Sequence, residues 1–115
     1  MDLNALLLEQ LTFHWEHQAR PRLHGLTDHE YLWEPAPNAW SLRRRGEATS
    51  AMAAGGGEWL LDFEFPEPEP APVPTIAWRL GHVIVGIFAA RNASHFGGDP
   101  IDYFTAEWAP DAAGA

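Results

Sequence analysis

Two stretches of the chain place apolar side chains at helical spacing. In the first, Leu3, Leu7, Leu11, His14 and Gln18 fall on one face, with Asp2, Ala5, Glu9, Thr12, Glu16 and Ala19 on the opposite one. This predicts an amphipathic helix over residues 3–24, with Glu16 and Arg20 as a favourable i,i+4 pair on its wet side. Pro21 should loosen the last turn and Gly25 should end it. In the second, Thr75 is the expected N-cap of a helix over residues 75–95 that stops near Gly97 and Gly98. One face carries Thr75, Trp78, His82, Val85, Gly86, Ala89 and Ala93; the others carry Ile76, Leu80, Val83, Ile84, Ile87 and Phe88. A helix apolar nearly all round is expected to be buried.

Residues 27–74 read as a loop or extended arm between these helices. Thr27 and Glu30 match a capping box, but Pro35 and Pro37 leave room for only about a turn of helix. Asn38 to Ser41 is a further turn carrying Trp40. Residues 43–57 are rich in Arg, Ala and Gly and read as a mobile loop. Trp59, Leu61, Phe63 and Phe65 then alternate as in a strand or an extended arm, with Leu60 blurring the polar side. Pro66 to Pro74 is a polyproline-like connector. The tail, residues 96–115, is aromatic and irregular as far as Trp108 and ends in what reads as the opening of another helix.

Two rods of about 30 Å each cannot cover a helix that is apolar on every side. The pattern therefore predicts an all-α architecture that is incomplete in this chain. The rest would come from the arms and a second copy, or from a longer protein of which this is a fragment; the fragment reading is preferred.

Composition narrows the function classes. The 115 residues make one ordinary domain with six Trp and six Phe. Sixteen acidic residues against seven Arg, with no Lys, give a formal charge of −9. The Arg-only, Ala-, Gly- and Pro-rich usage points to a GC-rich bacterial genome. An acidic chain without a basic stripe is a poor ligand for nucleic acid or anionic lipid, and Arg43-Arg44-Arg45 is expected to be a solvated loop cluster. With no cysteine, thiolate zinc sites and cysteine nucleophiles are excluded. No basic region precedes Leu3 and no run is long enough to span a bilayer, so the expected compartment is the cytoplasm.

His82 is the candidate for chemistry, because an imidazole on a buried helix needs a hydrogen-bond partner or a metal. From the residues alone, a histidine bonded to a carbonyl or carboxylate is the commoner outcome. His14 and His17 lie at i,i+3, with Gln10 and Gln18 on the same face, and read first as core or pocket wall. His24 and His29 sit in a turn, and His95 is a helix-end cation. Ser41, Ser50 and Ser94 lack a nucleophile-elbow setting, and Gly55-Gly56-Gly57 lacks the Lys-Ser/Thr of a phosphate loop.

Three segments taken together resemble the DinB-like family of metal-binding four-helix bundles, particularly its actinobacterial members. They are Leu6-Leu-Leu-Glu-Gln-Leu-Thr-Phe-His14-Trp15 with Arg20-Pro21-Arg22-Leu23, then Gly25-Leu-Thr-Asp-His-Glu-Tyr31-Leu-Trp33-Glu-Pro35 with Trp40-Ser41, and Thr75-Ile-Ala-Trp78-Arg-Leu-Gly-His82-Val-Ile ending at His95-Phe-Gly-Gly98. The resemblance covers this chain almost end to end but only about the first half of the family's length. It implies a site of three histidines for a divalent metal, zinc or nickel, with His82 as the first and the other two on a later helix. It further implies that His14, Gln18 and Trp78 line the cavity around that site.

Two functional expectations follow. The resemblance implies a metal-dependent protein acting on a small molecule, such as a transferase or isomerase using a mycothiol- or bacillithiol-type thiol. This chain would carry one of its three ligands and be inactive alone. The rival is a non-catalytic helical module that pairs with itself as a homodimer through exposed apolar helix faces.

Overall fold

Asp2 opens the first rod, its Oδ1 accepting the amide of Ala5 at 3.2 Å. In the computed structural model, which describes residues 1–115, this helix (α1) runs as regular α-helix over Leu3–His14. It widens to a π-helix over Trp15–Ala19 and closes with one α-helical turn, Arg20–Leu23. The widening falls just before Pro21, whose ring lacks the N–H that would continue the ladder, and Gly25 ends the run at φ +77°. Glu16 and Arg20 pair at 3.4 Å. No residue of α1 is buried, and Leu3, Leu6, Leu7, Leu8, Leu11, Phe13 and Trp15 all stand exposed.

The short helix α2, Asp28–Tyr31, carries the expected capping box: Thr27 Oγ1 accepts the Glu30 amide, and Glu30 Oε1 accepts the Thr27 amide. It delivers Tyr31 into the core, where the phenol donates to the carbonyl of Ala109 at 3.0 Å.

The all-α expectation fails at the next step. Strand β1, Leu42–Arg44, pairs antiparallel with β2, Trp59–Leu61, in the register Leu42 to Leu61, Arg43 to Leu60 and Arg44 to Trp59. Two helical rods, one short helix and a two-stranded sheet make this a mixed α and β fold rather than a partial DinB-like four-helix bundle. The physical reason lies in the apparent loop: β2 needs a hydrogen-bonding neighbour, and the Arg-rich run supplies it because its cations are used internally. Arg43 pairs with Asp62 and Glu34, each at 2.8 Å, and Arg45 donates to the carbonyls of Gly55 and Gly57. Arg44 lies over the ring of Trp59. Of the expected solvated cluster, Arg43 is drawn into the fold, while Arg44 and Arg45 stay exposed as they brace the sheet. Ala54 extends the arrangement by exchanging both backbone hydrogen bonds with Leu61.

Thr75 caps the second rod, α3, by accepting the amide of Trp78. The rod is α-helical over Ile76–Gly81, π-helical over His82–Ala89 and α-helical again over Ala90–Phe96. It is not the buried helix that its sequence predicts. Only Ala77 is enclosed, while Val83, Ile84, Phe88 and Phe96 are exposed.

The core lies beneath the sheet and the first turn of α3. It consists of Tyr31, Leu42, Leu61, Ala77, Ala106 and Trp108, with Leu26, Trp59, Trp78, Leu80 and Tyr103 packed around it. The tail completes it, Trp108 donating its indole N–H to the carbonyl of Ala54 at 2.8 Å. With α1 outside this core, the Cα radius of gyration is 16.0 Å, against about 13 Å for a compact chain of this length.

Candidate functional site

His82 lies on α3 between two aromatic rings. Trp78, one turn earlier, stacks on the imidazole with centroids 5.2 Å apart and planes 15° apart. Tyr103, from the tail, brings its hydroxyl into a short hydrogen bond with His82 Nδ1. The phenol donates or accepts according to the imidazole tautomer. His82 Nε2 makes no hydrogen bond within the chain, and no buried side-chain polar atom lacks a partner, so Nε2 reaches the surface. The ring is half-buried: it neither points freely outward nor sits sealed among aliphatic groups.

The helix surface is cut to receive these rings. A Cβ built on Gly86 would lie 2.5 Å from the Tyr103 oxygen and 3.2 Å from His82 Nδ1. One built on Gly81 would lie 2.9 Å from Cζ3 of Trp108. Two glycines inside a helix cost roughly 1 kcal/mol each against alanine, and here they let the two tail aromatics rest on the α3 backbone. Trp78 is fixed in turn by its indole N–H, which donates to the Asp62 carbonyl at 2.7 Å, and by Trp40 at 5.8 Å between centroids.

Asp62 is the polar hub behind the cluster and is only 1% exposed. Its carboxylate accepts from the Ser41 amide (3.0 Å), Arg43 Nε (2.8 Å) and Ser50 Oγ (2.8 Å). Arg43 is held further toward its charged form, most by the hydrogen bond it donates to Glu34 and then, against the opposing effect of burial, by Asp62. Burial pushes the phenol of Tyr103 above the ordinary tyrosine value, so the hydroxyl facing His82 is held neutral.

The structure unites His82 with Trp78, but it places His14 and Gln18 elsewhere. Those two line a shallow depression of about 320 Å³ on α1 with Leu11, Trp15, Ala19 and Arg22. Neither His82 nor Trp78 borders it. A larger apolar groove, about 810 Å³, separates the end of α1 from α3, with Trp15, Leu23, Leu80, Val83, Ile84 and Phe88 among its walls. No three His, Cys, Asp or Glu side chains are gathered in a metal-binding group.

Sequence reasoning missed Tyr103, Asp62 and Arg43. Tyr103 carries no local signal because it meets His82 only through the fold of the tail; the glycines at 81 and 86 were the available clue, since an interior helix glycine marks a close approach. Comparison of the chain with protein-family models, curated proteins and solved structures yields no match. No helix is long and apolar enough to cross a membrane.

Proposed function

We propose that this chain is a non-catalytic interaction module that holds two apolar helical rods out from a small aromatic core for apposed helices to cover. The observation that carries the reading is α1, which presents eight large apolar side chains and buries none of them. Isolated apolar residues on a surface are ordinary, but a rod of them continuous with an apolar groove marks a contact surface. The double variant Leu7→Glu with Leu11→Glu tests it. The reading predicts an unchanged thermal midpoint for the core, followed through the buried Trp108, together with loss of assembly or of binding to a hydrophobic dye. A collapse of the core midpoint would mean that α1 packs within its own chain and would overturn the reading.

A second reading keeps His82 as a ligand for zinc or nickel in a metal-dependent protein acting on a small molecule, with thiol transfer as its activity. It is supported by the Tyr103 contact, which fixes the ring through Nδ1 and leaves Nε2 to face outward, as outer partners of metal-bound histidines do. A catalytic zinc takes about three protein ligands, and the side chains around His82 supply one imidazole with aromatic neighbours. The residues present therefore do not fit a metal by themselves. Titration of zinc and nickel into wild type and His82→Ala checks it: tight stoichiometric binding lost in the variant favours it, and equal weak binding by both removes it.

A further inference from the structure

We infer that the occupant of the two rods is a second copy of this chain, paired so that α1 of each protomer lies along α3 of the other. The inference rests on the interaction-module reading and names its partner. Its first support is area. The chain exposes 8412 Å², whereas a folded monomer of 12.8 kDa exposes about 6,300 Å². The excess is about 2,100 Å² per chain, and covering it in a symmetric pair would bury about 4,200 Å² in total, inside the range of obligate homodimers. A small ligand or a single short peptide would leave most of that surface wet.

Charge supplies the orientation. Over its whole length α1 with its cap carries Asp2, Glu9 and Glu16 against Arg20 and Arg22, with Glu16 paired to Arg20. Along its whole length α3 carries Arg79 and Arg91 and no acid. A two-fold pair makes each contact twice, residue i on j and j on i. Setting α1 against the partner's α3 brings the acids of α1 to a helix with two Arg and no acid in both copies, while pairing like rods would set α3 on α3, base on base. The rods also match in length, each about 31 Å at the helical rise. The overall charge of −9 opposes association at long range, so the local match selects the pairing against that background.

Sedimentation equilibrium on the full chain tests the inference, run with hydrophobic-dye fluorescence and a block charge exchange. Wild type is expected to sediment at twice 12.8 kDa at about 10 µM and to bind little dye. Glu9→Arg with Glu16→Arg, and separately Arg79→Glu with Arg91→Glu, should each weaken the dimer by about tenfold or more, and all four together should restore it. A folded monomer that binds dye strongly would overturn the second-copy assignment while leaving the rods as a docking surface. A folded monomer that binds no dye would overturn both. A dimer that the four substitutions fail to restore would overturn the α1-on-α3 pairing.

Discussion

Gly86 faces the hydroxyl of Tyr103 so closely that a methyl group there would stand 2.5 Å from the oxygen. The position is therefore an opening in α3 through which the tail reaches His82, and a sequence that placed alanine there would close it.

Gly86→Ala should behave unlike an ordinary helix substitution. Helix propensity alone would stabilise the chain by up to about 1 kcal/mol, while overpacking costs roughly 1–3 kcal/mol. The contact should win, giving a net loss of about 1 kcal/mol in urea unfolding and release of the tail, seen as a changed His82 imidazole resonance. A stabilised variant with an unchanged His82 resonance would show that Tyr103 does not seat against this backbone.

Asp62→Asn removes the negative charge that Arg43 Nε, the Ser41 amide and Ser50 Oγ all address. Breaking one side of a buried charge pair typically costs about 3 kcal/mol or more, a large share of a small domain's stability. The expected outcome is a fall of that size in urea-unfolding stability, with loss of the β1–β2 pairing in amide exchange. A change of less than about 0.5 kcal/mol would place the pair among surface bridges of little consequence.

Alkali should unfold the chain through two phenols, the buried Tyr31 and the half-buried Tyr103. Burial raises both Tyr31 and Tyr103 above 10.0, with Asp111 adding to the effect at Tyr31. The folded state thus prefers the neutral phenol, so the stability contributed is fully present below pH 10 and is lost as the pH rises through the raised folded values. Urea midpoints taken from about pH 9 upward should fall, and the double variant Tyr31→Phe with Tyr103→Phe should flatten that decline. An equally steep decline in the double variant would assign the effect to other groups.

Both long rods, the Thr27–Glu30 capping box and the Thr75 cap were legible because each depends on residues within a turn of one another. Of the sheet, β2 was legible in the alternation of Trp59 and Leu61, but β1 was not, since Leu42–Arg44 reads as part of an Arg-rich loop until its partner, across an Ala- and Gly-rich excursion, takes up the strand hydrogen bonds. The burial of α3 was misread for a related reason. Apolar residues on every face state that a helix needs covering, but not that this chain supplies the cover, and here the sheet and tail reach only its first turns. At the candidate site His82 and Trp78 were readable as a one-turn pair, whereas Tyr103 meets them from 21 residues beyond His82.

On this reading α1 gains its order from an apposed helix surface and not from its own core. A lone helix of this length is marginal in water, so amide exchange across residues 3–23 should depend on protein concentration. Exchange should be close to that of a free peptide in dilute solution and slow about a hundredfold once chains associate. Strong protection of α1 that persists at every dilution would contradict it.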